Sequence, residues 1–247
     1  MSSAQRTEVV TIVPEMGELA GVPGWRDGST SAQVRFLGRS FPGRSTGGGR
    51  GPELEEVWAG GKRAQARMRQ VHGAIVLAGH PGECGEGDAL STSERGLALV
   101  VVTADCLPIL VADRDRVVAI HAGWRGFVAG VVTAALAEFA DPGRLTAWIG
   151  PAIGPCCYEV GDEVADRVVA RSSEAVRRPG GRGRPHLNLP RAAAIELARC
   201  GVGEIRQLDL CTACHPAILE SYRRDGSAAG RNRSGIWLRL GAADQEG

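Results

Sequence analysis

The feature that most constrains the fold of this chain is a hairpin with reactive side chains at both of its ends. Ile109-Leu110-Val111-Ala112-Asp113 and Val117-Val118-Ala119-Ile120 are apolar, strand-like runs separated by the polar Arg114-Asp115-Arg116. That pattern reads as strand, tight turn, strand. Closing it sets Cys106, just ahead of the first strand, beside His121 at the end of the second. His72, in Gln70-Val71-His72-Gly73, is a third candidate for the same place. One thiolate and two imidazoles are a borderline-soft ligand set that suits zinc. Three protein ligands leave a fourth position open, which is the catalytic arrangement. The same pair also admits a metal-free reading, with Cys106 as nucleophile and His121 as its base.

The residues around the hairpin extend both readings. Ala122-Gly123-Trp124-Arg125-Gly126 runs into residues 127–139, whose apolar side chains recur at helical spacing. Free N–H groups at a helix start favour an anion, and Arg125 adds a planar fork suited to phosphate or carboxylate. The plainer alternative is a strand-to-helix turn that needs glycine at Gly123. Asp88 and Asp105 are candidates for orienting a histidine ligand or a substrate hydroxyl. Asp105, next to Cys106, is grouped with Cys106 and His121 as a candidate catalytic residue.

Composition narrows the class. The formal net charge of +1 gives no bulk attraction to nucleic acid or membrane. No apolar run reaches the ~18 residues of a membrane span, and no signal-peptide core opens the chain. The expectation is a cytoplasmic protein. Seven cysteines, an odd number, argue against a disulfide framework. Cys211-x-x-Cys214-His215 matches a haem-attachment pattern, which needs export, and also half of a zinc ribbon. A second, structural zinc shared with Cys156 and Cys157 competes with a reading as buried thiols. Arg223, Arg224, Arg231 and Arg233 form a cluster that either grips a phosphate or faces solvent. His80 and His186 have no role.

Along the chain, strands are expected at 8–13, 32–37, 69–77, 97–102, 145–149, 205–210 and 236–238, besides the hairpin. Residues 62–68 carry helix formers. Helices are expected at 127–139, 162–170 and 188–200, with a short one ending near Tyr222. Residues 79–87 and 150–160 read as shaped Gly- and Pro-rich loops. With 43% hydrophobic residues and no compositional break, one α+β domain over 1–247 is expected.

Taken together, QVHG at 70–73, GDAL at 87–90, TADCLPIL at 103–110, HAGWRG at 121–126, GPAIGPCCYEVG at 150–161 and CTACHP…SYRRDG…GR…GIWL at 211–238 resemble the laccase-domain, or "multicopper polyphenol oxidase", family. Its members are regarded as zinc-dependent purine nucleoside phosphorylases with adenosine deaminase activity. The resemblance covers residues 69–240, while 1–68 diverge. It implies α/β/β/α layers and a metal held by His72, Cys106 and His121, with zinc preferred over copper. It implies phosphorolysis of adenosine, inosine and S-methyl-5'-thioadenosine, with Gln70, Asp88, Gly123, Arg125 and Arg231 as substrate-binding candidates. The partners implied are purine nucleosides and phosphate. Residues 41–48 only faintly echo the family's N-terminal run, and His215 stands where relatives usually carry Asp.

Overall fold

Leu107 pairs with Ala122 and Pro108 with His121, and the register continues to Ala112 and Val117. The computed structural model describes residues 8–11, 16–19, 22–29, 31–39, 64–181 and 183–240, and this hairpin lies near its centre. Asp113 closes the turn: its Oδ1 accepts the N–H groups of Asp115 and Arg116 at 2.8 and 2.7 Å. Local pairing alone therefore brings Cys106 to His121.

In chain order the strands are β1 Glu8–Thr11, β2 Met16–Leu19, β3 Val22–Gly28, β4 Ala32–Leu37, β5 Gln65–Arg69, β6 Val76–Ala78, β7 Gly82–Glu86 and β8 Ala89–Thr92. They continue as β9 Ala98–Thr103, β10 Leu107–Ala112, β11 Val117–Ala122, β12 Thr146–Ile149, β13 Arg177–Arg178, β14 His186–Leu187, β15 Glu204–Gln207 and β16 Asn232–Leu238. The helices are α1 Trp124–Ala129, α2 Val131–Leu136, α3 Asp162–Arg171, α4 Leu189–Arg199 and α5 Tyr222–Asp225. One seven-stranded sheet has the order β1-β15-β12-β10-β11-β8-β6, and the other β2-β3-β4-β16-β9-β5-β7. Both mix parallel and antiparallel pairs.

The hairpin strands are apolar throughout because both of their faces are covered. On β10, Ile109 and Val111 pack with Phe127, Val132 and Leu197 under the helices. Leu110 and Ala112 pack with Phe36, Leu99 and Ile236 of the second sheet. Each fully buried Leu or Ile here contributes roughly 1.5–3 kcal/mol. The order is thus helices, first sheet, second sheet, in a single mixed α+β domain. The residues 41–48 that echo the family's N-terminal run lie outside the described residues. No described helix is long and apolar enough to cross a membrane.

Several local expectations change. The helix expected over 127–139 is two short helices, because Gly130 adopts φ 93°, a left-handed value that ends α1 and starts α2. Helix formers at 65–68 lie in a strand, since Ala66 and Met68 alternate into the inter-sheet core. Tertiary burial overrides propensity there. The strand expected over 69–77 is interrupted at 70–75, where the backbone turns to present His72. The loop expected at 79–87 contains β7, and α5 begins at Tyr222, where a helix was expected to end.

Candidate metal centre

His72, Cys106 and His121 come from three separate elements, yet their ligand atoms lie within 4.8 Å of one another. Cys106 Sγ is 3.8 Å from Nε2 of His72. The two imidazole rings stand edge to face, with centroids 4.8 Å apart. The hairpin register supplies Cys106 and His121. His72 arrives on the turn between β5 and β6, with φ 61°. Asp105, preceding Cys106, has φ 89°. Non-glycine residues hold such angles only where their surroundings over-determine them.

Asp88 provides that determination for His72. Its carboxylate is fully buried at the start of β8. One oxygen accepts His121 Nδ1 at 2.8 Å and the His72 N–H at 2.9 Å; the other accepts the Gly73 N–H at 2.6 Å. A carboxylate on Nδ1 fixes the tautomer that leaves Nε2 of His121 free for a metal. Burial by itself would raise the pKa of Asp88, but the bonds from His121, Gly73 and His72 bring it below the usual carboxylate range. Of the two roles expected for Asp88, orienting a histidine matches its position, and its side chain does not line the cavity beside the three ligands.

The protonation states fit a metal better than a nucleophile. Burial, then the charges of Asp105 and Asp88, push the Cys106 thiol up to about 11, while Arg231 partly opposes them. An activated thiol shows the opposite shift; a thiol beside a metal ion is deprotonated outright. Burial, followed by the influence of His121, lowers His72, so its ring is a neutral donor. Gly123 completes the cradle. A Cβ there would stand 3.0 Å from Cys106 Sγ and 3.0 Å from Cδ2 of His72. Donor set, orienting carboxylate and missing side chain all fit a zinc ion held by His72, Cys106 and His121.

The three ligands line a cavity of about 840 Å³. Gly123, Arg125 and Arg231 line it too, with the Arg125 guanidinium 4.6 Å from the Trp124 ring. Gln70 also reaches it, but its amide is engaged by the Val102 backbone, donating to O at 2.7 Å and accepting N–H at 2.9 Å. Asp105 lines the wall with both oxygens occupied, one by Thr212 Oγ1 at 2.5 Å and one by the Arg223 N–H at 2.6 Å. Tyr158, Arg184 and Arg223 also line it; Arg223 belongs to the arginine cluster weighed above as a phosphate grip, whereas Tyr158 and Arg184 were not singled out from the sequence. Arg223 lies over the Tyr158 ring at 5.6 Å, and burial pushes the Tyr158 hydroxyl up to about 12. Only its position after Cys156-Cys157 in a Gly-Pro loop marked Tyr158 beforehand. His80, His186 and His215 each direct Nδ1 to a backbone carbonyl and belong to no ligand group among the described residues.

A mixed α+β domain with a His-Cys-His group on a cavity defines a class, and sequence comparison gives it a family. The model of the family described as multi-copper polyphenol oxidoreductase laccase matches residues 53–239. This chain belongs to that family. Among its relatives are proteins named purine nucleoside phosphorylase. One, from Pseudomonas aeruginosa, is 42% identical over 177 residues, covering 69% of this chain and 73% of the relative. Another, from Streptomyces coelicolor, is 43% identical over 181 residues, covering 69% and 74%. A crystal structure of a Neisseria meningitidis protein superposes with a TM-score of 0.77 at 29% identity, covering 89% of this chain and all (100%) of that one. YlmD from Geobacillus stearothermophilus gives 0.73 at 28%, covering 90% and 93%.

Proposed function

We propose that this chain is a zinc-dependent purine nucleoside phosphorylase. It would cleave adenosine, inosine and S-methyl-5'-thioadenosine, and would also deaminate adenosine hydrolytically. The observation that carries this reading is the His72, Cys106 and His121 group on a cavity lined by arginines and a tyrosine. The names of the relatives support it.

Zinc, when bound by His72, Cys106 and His121, supplies Lewis-acid chemistry at one open coordination position. Asp88 holds His121 in the required tautomer. Arg125 and the Gly123 backbone bind phosphate, and Arg231 adds a further positive charge. Tyr158 offers a flat apolar face to the purine, with Arg223 over its ring restraining it. Asp105 acts as a positioning residue, tying the cysteine turn to Thr212 and Arg223. In phosphorolysis a phosphate oxygen bonds to the ribose anomeric carbon as the carbon–nitrogen bond breaks. The bonding pair leaves with the base, which takes up a proton, and ribose 1-phosphate forms. In deamination, water adds at the purine carbon bearing the amine, and ammonia departs.

The alternatives are weaker on specific grounds. A Cys106 hydrolase of an amide or cell-wall precursor needs an activated thiol, and the environment raises this one. A copper polyphenol oxidase needs many clustered histidines, and the three other histidines are turned to backbone carbonyls. The test is base release from purine nucleosides by zinc-loaded protein. Hypoxanthine should appear from inosine only with phosphate present. Absence of phosphate-dependent release from every purine nucleoside tried would overturn the reading.

A further inference from the structure

A second thiol cluster lies outside the His72 centre. Cys156 and Cys157 sit on the turn that follows β12, and Cys211 and Cys214 on the turn that follows β15. The four sulfurs lie within 4.8 Å of one another. Cys214 Sγ is 3.5 Å from Cys156 Sγ and 3.4 Å from Cys157 Sγ. None is in a disulfide. A tetrahedral zinc with four bonds of about 2.3 Å spaces its sulfurs by about 3.8 Å, so these separations bracket a single ion.

The backbone builds this arrangement. Ala152 and Cys211 form a parallel bridge. The Thr212 N–H reaches the Ala152 carbonyl at 3.0 Å. Those bonds bring together two turns more than fifty residues apart in sequence, as the 58-residue separation of Cys156 and Cys214 shows. The Gly154 N–H donates to Cys211 Sγ at 3.3 Å, the kind of outer contact that steadies a thiolate ligand. A Cβ at Gly154 would stand 3.1 Å from Cys211 Cβ and 3.4 Å from Cys156 Sγ. Cys156 and Cys214 are exposed, so apolar packing does not account for the cluster.

We infer that Cys156, Cys157, Cys211 and Cys214 form a second metal centre that holds one structural zinc ion in a closed four-sulfur site. With no open position, such an ion stabilises rather than catalyses. It would clamp the cavity wall. The Cys157 carbonyl accepts from Arg223 Nη1 at 3.0 Å, Thr212 binds Asp105, and Tyr158 follows Cys157 directly.

The test is metal content of the full chain, purified in reductant without chelator. Wild type should carry about two zinc ions, and the His72→Ala/Cys106→Ala double variant about one. Cobalt exchanged into that folded variant should show the intense sulfur-to-metal charge transfer of a four-thiolate site. In wild type, the cluster thiols should resist alkylation until chelator is added. A folded double variant without metal overturns the inference. So does iron in place of zinc, an intact mass showing a disulfide among these cysteines, or alkylation that chelator does not accelerate. All four readouts are independent of nucleoside turnover, and wild-type alkylation needs no substituted chain.

Discussion

Oδ1 of Asp88 lies 2.8 Å from Nδ1 of His121 and 2.9 Å from the backbone nitrogen of His72. One buried oxygen therefore sets the ring of one candidate ligand and the backbone of another. Asp88→Asn keeps the size of the side chain but turns one acceptor into a donor facing an N–H. Zinc affinity at this centre should fall about 10- to 100-fold. A competition titration against a chromophoric chelator measures it, and unchanged affinity would remove Asp88 from the centre.

The same carboxylate has an acid signature. Its native pKa lies below the ordinary carboxylate value. The stabilisation it gives is present above the unfolded carboxyl's range, near pH 4, and is lost as pH falls through the native value. The stability difference between wild type and Asp88→Asn should hold at neutral pH and shrink below about pH 4. Denaturant unfolding across that range reads it.

Cys106 must lose a proton to ligate, and without metal its thiol sits at about 11. His72, already lowered, is neutral near pH 7 and releases none. Apparent zinc affinity at this centre should therefore rise about tenfold for each pH unit between 7 and 9. Cys106→Ala should abolish that slope along with most of the affinity. A flat profile in wild type would mean that the sulfur stays protonated and unligated.

Gly123 has φ −72°, which any residue adopts, so Gly123→Ala tests space alone. The added methyl would press on Cys106 Sγ and the His72 ring at 3.0 Å. Zinc affinity and phosphorolysis should drop at least about tenfold, while the melting temperature of the metal-free protein shifts by only a few degrees. A large loss of metal-free stability would instead make Gly123 a folding residue.

Asp105 combines a left-handed backbone with two hydrogen bonds. Asp105→Asn tolerates the angle and keeps one acceptor, whereas Asp105→Ala loses both. Alanine at this angle costs about 1–2 kcal/mol, and lost bonds to a charged group cost about 1.5–3 kcal/mol each. The alanine variant should be clearly less stable than the asparagine variant in chemical unfolding. Equal stabilities would show that the latch to Thr212 and Arg223 contributes little.

The sequence by itself determined the hairpin and the meeting of Cys106 with His121. Those depend on two continuous apolar runs and a polar turn closed by its own aspartate, all local. It also indicated an apolar strand over 97–102 and helices over 162–170 and 188–200, through spacing and end signals; they form at 98–103, 162–171 and 189–199. Only the tertiary structure decided which residues line the cavity and where their polar atoms are engaged. Gln70 and Asp105 turned out to spend their polar atoms on the backbone and Thr212, because their partners lie 32 and 107 residues away. Tyr158 reached the cavity, and Cys156 reached Cys214, because a bridge between Ala152 and Cys211 docks two loops. Even the turn at His72 is held from a distance, by a buried carboxylate sixteen residues on. Local pattern fixes what neighbours in sequence can do; hydrogen bonds to distant, buried partners assign the rest.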